Sequence, residues 1–220
     1  MENTMDKDKQ KDQENDKHVD EGAHVKMQGH LLIRDAETGE ELVNKRNAIH
    51  FGNMAFVIAN AMSYWQTENN GIYHMAFGNG GSDVLNTGEI NYKTTNTGTI
   101  RDDSAGLYTR TYEKLIGQDA TTDSKNNVSI VTSSGAFTDL QITCTLDFGE
   151  PPGQQAFDNT TTVNDTFVFD EIGLFSWEGT AGTGNLLTHV IFHPVQKSLN
   201  RLIQIDYTIR IQSLTNFVDV

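Results

Sequence analysis

The chain has 220 residues, with 30 Asp and Glu against 16 Lys and Arg and a formal net charge of −14. So acidic a surface repels phosphate backbones, which argues against direct nucleic-acid binding, and it suits a protein kept soluble at high copy number. A single cysteine excludes an intrachain disulfide framework, no run of eighteen apolar residues offers a membrane helix, and residues 1–21 lack the apolar centre of a signal peptide. Synthesis in a reducing cytoplasm is the expectation, with the chain kept there or assembled there before release.

Residues 1–26 form a polar, acidic N-terminal arm. Their composition cannot offset the entropy of ordering, so the arm is expected to be disordered alone, either as a solvated tail or as a segment that orders against a neighbouring subunit. Residues 27–220 are expected to form a single β-sandwich domain. It opens with a hairpin, in which HLLIRD (30–35) and LVNKRN (42–47) flank a turn containing Gly39.

One convincing helix follows, NAIHFGNMAFVIANAMSYW, with Asn47 as its expected cap. Phe51, Met54, Ala55, Ile58, Met62 and Trp65 recur at spacings of three and four. That apolar stripe is expected to lie on a sheet.

Beyond the helix the chain reads as strands: GIYHMAFG, LYTRTYEKLI, VSIVTS, AFTDLQITCTLDF, TFVFDEIGLFSW, LLTHVIFHPV and RLIQIDYTIRIQ. In the last, Ile203, Ile205, Tyr207, Ile209 and Ile211 alternate with polar residues, so one face is buried and one is wet. The expected architecture is mainly β, an antiparallel β-sandwich with one packed α-helix. Two polar linkers, 82–105 and 149–165, exceed what a hairpin needs and read as contact-making loops. The Pro194–Ser198 segment is expected to form a corner between strands.

The cluster Gly78-Asn79-Gly80-Gly81 raises the question of a phosphate loop. A dinucleotide fingerprint needs a glycine where Asp83 stands and a helix starting there, and a phosphate loop needs a Lys-Ser/Thr pair; neither is present. These glycines are therefore expected to supply positive φ in a tight turn.

His189 and His193 lie four apart on a strand, about 13 Å by strand rise, too far to share a metal. They read as sheet-surface or interface histidines, and nothing in the spacing demands that Asp170 and Glu171 join them. Residues 158–171 resemble a calcium loop but lack the alternating ligands and the central glycine. Cys144 shares parity with Leu140, Ile142 and Leu146 and reads as a buried, inert thiol. The Asn-x-Ser/Thr triplets at Asn127, Asn159 and Asn164 read as ordinary polar residues. No arrangement of nucleophile and base stands out, so no catalytic, cofactor-binding or metal residue is assigned, no cofactor is expected, and an enzyme is not expected.

In order, FGNGGS, LYTRTYEKL, FDEIGLFS and GNLLTHVIFHPVQKSLNRLIQIDYTIRI resemble a group of virion structural proteins of tailed bacteriophages. The resemblance rests on a Phe-Gly-x-Gly-Gly turn (Phe77–Gly81), an Asp/Glu-x-Gly-Leu strand (Glu171–Leu174), and the His189–Ser198 segment before an amphipathic strand (Arg201–Ile211). The helix start at 47–54 is similar to proteins of marine and cyanobacterial long-tailed phages. The resemblance spans roughly residues 28–212.

It implies a tail, baseplate, neck or fibre-attachment component of the virion, made in the host cytoplasm, with copies of itself and other virion proteins as partners. It implies neither nucleic-acid nor membrane binding, and it transfers no catalytic residue. Two alternatives stay open. One is a capsid decoration or head-fibre base protein. The other is a carbohydrate-binding module at a receptor-facing fibre, with Trp65, Trp177 or tyrosines as its stacking platform.

Overall fold

A computed structural model describes residues 24–62, 71–117, 123–132, 137–152, 167–177 and 183–214. The chain is mainly β; the described residues form two five-stranded antiparallel sheets packed as a sandwich, with one helix. The first sheet contains β1 (His24–Asp35), β2 (Glu41–Arg46), β8 (Asn127–Thr132), β9 (Phe137–Leu146) and β12 (Ile203–Leu214), in the order β2-β1-β12-β9-β8. The second contains β3 (Ala48–Ile49), β4 (Ile72–Gly78), β7 (Arg110–Leu115), β10 (Val168–Ser176) and β11 (Leu186–Gln196), in the order β3-β11-β10-β4-β7. A short hairpin, β5 (Ser82–Val84) with β6 (Ile90–Tyr92), stands apart.

Alternation builds the core. Leu31, Ile33, Ile142, Ile205 and Ile209 of the first sheet meet Phe77, Ile172, Leu174 and Phe192 of the second. On β12, Ile203, Ile205, Tyr207 and Ile209 are buried as their period requires, while Arg210 is exposed and pairs bidentately with Asp139 at 2.8 Å. Cys144 is buried in the same core, and burial pushes its thiol up to about 12, which removes it as a nucleophile at neutral pH. The first hairpin also matches expectation: Gly39 sits in its turn at φ 76°, and the Asp35 carboxylate accepts the N–H groups of Glu37 and Thr38 at 3.0 and 2.9 Å. β1 begins at His24, three residues before the expected start of the domain.

The helix differs from expectation in both start and orientation. Asn47 does not cap it. Ala48 and Ile49 are taken up by β3, and α1 (Phe51–Met62) begins after His50, whose Nδ1 accepts the N–H of Asn53 at 3.3 Å. The buried face is Asn53, Met54 and Val57. Phe51, Ala55, Ile58 and Met62, most of the stripe expected to lie on the sheet, face outward; Trp65 falls outside the described residues.

A polar residue orients the helix. The Asn53 Nδ2 donates to Leu186 O and Asp102 O at 3.0 and 2.9 Å, and its Oδ1 accepts Asp102 N–H at 2.9 Å. Meeting those bonds in a dry site outweighs turning the more apolar stripe inward, because a buried unpaired amide costs about 1–3 kcal/mol for each lost partner.

The linker 82–105 is not a free loop. It carries β5 and β6, and the chain from 79 to 109 returns across the outer face of the second sheet. Ala105 and Leu107 pack there on Ala76, Phe175 and Leu186. The second sheet is thereby covered on both faces over β10, every residue of which is buried.

Candidate functional site: a glycine loop closed on internal carboxylates

The described part of the 149–165 linker is 149–152; the rest, with Asn159, Asn164 and most of the calcium-like stretch, lies outside the described residues. Chemistry concentrates instead where the glycine loop crosses β10. In a regular strand, Asp170 and Glu171 would point to opposite faces. The β10–β11 register shifts between Phe169 and Glu171, and both carboxylates reach the 78–82 loop.

Glu171 Oε1 accepts the N–H groups of Gly80 and Thr109 at 3.1 and 2.8 Å, and Oε2 accepts that of Tyr108 at 3.0 Å. Asp170 Oδ1 accepts Gly81 N–H at 2.9 Å, and Oδ2 accepts the N–H and hydroxyl of Ser82 at 2.7 and 2.5 Å. Lys93 closes the loop from above, donating to Gly80 O at 2.8 Å and standing 4.9 Å from the Tyr108 ring centroid.

The positive-φ expectation for Gly78, Gly80 and Gly81 is therefore corrected. Among the described residues the left-handed glycines are Gly39, Gly88 and Gly184. What the cluster provides is close approach. A Cβ on Gly78 would lie 2.5 Å from Glu171 Oε1 and 2.5 Å from Thr109 O, and one on Gly80 would lie 2.5 Å from Thr109 Oγ1 and 2.7 Å from Thr109 N. The loop does cradle anions with backbone N–H groups, as a phosphate loop would, but the anions are the protein's own side chains.

His189 is likewise corrected from a surface histidine to a fully buried one. Its Nδ1 accepts Asn96 N–H at 2.8 Å, so the proton sits on Nε2, which donates to Glu171 Oε2 at 3.0 Å. His193 is exposed, with Nδ1 3.1 Å from the Tyr92 hydroxyl, and has no part in this network. Among the described residues no group of three or more His, Cys, Asp or Glu could hold a metal ion.

The two carboxyls respond in opposite directions. Burial raises Asp170 above the ordinary carboxylate range against the bonds from Ser82 and Gly81. Burial also opposes ionisation of Glu171, but the bonds from His189, Thr109 and Tyr108 outweigh it and hold that carboxyl below its usual value. A depressed carboxyl saturated with donors has no lone pair to offer a substrate. The network holds structure together: it ties β10, β11, the glycine loop and residues 96–109 into one body.

The sequence does carry a signal for this arrangement. Asp170 and Glu171 interrupt the apolar run VFDEIGLF, and charges inside a buried strand require partners. The partners themselves, backbone N–H groups at 80–82 and 108–109, leave no mark in residue type.

Exposed apolar side chains gather on the surface around α1. Met62 is 83% exposed, Ile100 81% and Phe51 52%. Arg101 covers Phe56 at 3.7 Å, so the 100–102 segment and the helix form a continuous surface. Beside it, a groove of about 450 Å³ runs between β1, the start of α1 and Thr97–Thr99. Trp177 is half-buried, its ring 4.2 Å from that of Tyr73. No helix among the described residues is long and apolar enough to cross a membrane. No family model, no curated protein and no solved structure matches the chain.

Proposed function

We propose that the chain is a structural component of a tailed-bacteriophage virion, an assembly or attachment module of the tail, baseplate, neck or fibre base, and that it works by binding neighbours. The observation that carries this reading is the outward apolar face of α1, Phe51, Ala55, Ile58 and Met62, beside Ile100, on a chain of net charge −14. Large apolar side chains contiguous on so acidic a surface mark a protein–protein contact. The ordered motifs that resemble those of virion proteins give the contact its setting, and two of them have structural work to do: Phe77–Gly81 and Glu171–Leu174 meet in the buried network.

A scaffold of this kind suits assembly. Its loops are pinned to the sheet by buried hydrogen bonds, so a contact surface built on them is already ordered and loses little entropy on binding. The acidity keeps free subunits apart until a specific surface is met.

The test is to purify particles from lysates of cells carrying this sequence on density gradients, and to quantify the chain in them by mass spectrometry. Stoichiometric recovery with the particles, and defective particles when the coding sequence is interrupted, is the expected result. Recovery only in the soluble fraction rejects the reading.

A further inference from the structure

β1 is paired along its whole length on one side and along half of it on the other. β12 follows it from His24 to Asp35, whereas β2 follows it only from His30 to Arg34. After Arg46 the chain leaves for the second sheet as β3, with Asn47 N–H bonding Gly29 O at 3.2 Å. That bond fixes the direction of the remaining backbone groups. In an antiparallel strand, alternate residues turn their N–H and C=O to the same side, so Met27 and Val25, like Gly29, face the space β2 has vacated. β2 pairs with neither of them, and no turn or loop backbone bond reaches them among the described residues.

The vacated space is the 450 Å³ groove. Its apolar side is Met27, Ile49 and Phe51, and its far wall is Thr97–Thr99. Asn47 also lines it, with its side-chain amide turned inward beneath Gly29. The flanks are basic in an acidic molecule. Lys26 and Arg46 are exposed, and neither has an ion-pair partner among the described residues.

We propose that the open edge of β1 accepts an extended, acidic segment of a partner polypeptide, which adds as a strand antiparallel to β1 where β2 leaves off. An unpaired row of N–H and C=O groups is the template for strand addition, and the adjacent groove takes alternate side chains. Lys26 and Arg46 select acidic residues at the rim. The site is independent of the virion reading, because an acceptor edge binds its strand whether or not the chain is part of a particle.

A random decapeptide library displayed on its encoding RNA, selected against the full chain, tests this. The expected winners alternate apolar with polar residues and are rich in Asp and Glu. In amide spectra a winning peptide shifts Val25, Met27 and Gly29. The exposed double variant Lys26→Glu/Arg46→Glu weakens it at least about tenfold. Met27→Pro, which removes a donor only from the open side, abolishes binding while the β12-side amides of Lys26 and Gln28 keep their exchange protection.

No enrichment, winners without acidic residues, or shifts confined to α1 overturn the proposal. So does binding of neutral oligosaccharides alone at this edge. Concentration-dependent protection of Val25 and Met27 without any peptide also overturns it, since the occupant would then be a second copy of the chain.

Discussion

Glu171 Oε2 lies 3.0 Å from His189 Nε2, with both side chains wholly out of contact with solvent. Because Asn96 N–H occupies the other ring nitrogen, the imidazole cannot change tautomer without losing a bond. Glu171→Gln should expose that constraint. A glutamine can place its oxygen against Gly80 and Thr109, but its NH2 then faces the N–H groups of Tyr108 and His189. A loss of about 2–3 kcal/mol is expected, and Glu171→Ala, which strands every donor, should lose about 3–5 kcal/mol. Urea midpoints at constant slope measure both. A Gln variant within about 0.5 kcal/mol of the parent would show that the network contributes nothing net.

The glycine loop gives a prediction that separates crowding from backbone strain. Gly80→Ala drives a methyl into Thr109, whose N–H is a Glu171 donor, so about 1–3 kcal/mol should be lost as the loop lifts from the carboxylate. Gly88→Ala meets no atom within 4 Å but sits at φ 83°, and about 1–2 kcal/mol of left-handed strain is expected there. The two are told apart by amide exchange at Tyr108 and Thr109. It should accelerate in Gly80→Ala and stay unchanged in Gly88→Ala. Equal exchange in both would reject close approach as the reason for the cluster.

His74 makes stability depend on pH. It stacks on Phe175 with ring centroids 5.1 Å apart, neither ring nitrogen has a partner, and burial, aided by Arg110, lowers its pKa to about 4. The folded state therefore disfavours the proton that the unfolded chain takes up near 6.5. The associated stability is fully present above pH 6.5 and is lost as pH falls from there through about 4, about 3 kcal/mol in all. His74→Phe keeps the stacked ring and removes both unpaired nitrogens. It should raise stability at pH 7 by about 1–2 kcal/mol and flatten the decline between pH 6.5 and 5. An undiminished slope in this variant would assign the decline to other groups; Glu171 is not one of them, because a carboxyl held below its usual value loses its contribution only at lower pH.

The strands were legible because burial on one face writes a period of two into the residues, as from Ile203 to Ile209. The Gly39 hairpin was legible from its turn residues. The helix misled because its most regular apolar spacing, Phe51 to Met62, belongs to the face left outside, while one asparagine decides which face turns in. Hydrophobic period records where apolar residues lie around a helix, not which neighbour each face meets. The network was half legible. Asp170 and Glu171 announce themselves as charges in an apolar run, but backbone donors carry no residue identity, and β5 and β6 are too short for any period to register. His189 looked like a surface residue because its partners are 18 and 93 positions away.

The outward face of α1 supplies the sharpest test of the assembly reading. If Ile58 and Met62 meet only solvent in the working protein, Ile58→Glu/Met62→Glu changes stability by no more than about 0.5 kcal/mol and changes nothing else. If they meet a neighbour, the isolated chain is equally unaffected, but the particle loses it, since a carboxylate buried in an apolar contact has no partner and costs more than the contact contributes. Ile130, 68% exposed on β8 at the far edge of the first sheet, provides the control. The expected outcome is a normal urea midpoint for the helix double variant and for Ile130→Glu, with particle incorporation strongly reduced in the first and retained in the second. Equal incorporation of both would remove α1 as a contact surface. Loss of both would mean that added acidic charge on an already acidic chain, rather than the place where it is added, prevents assembly.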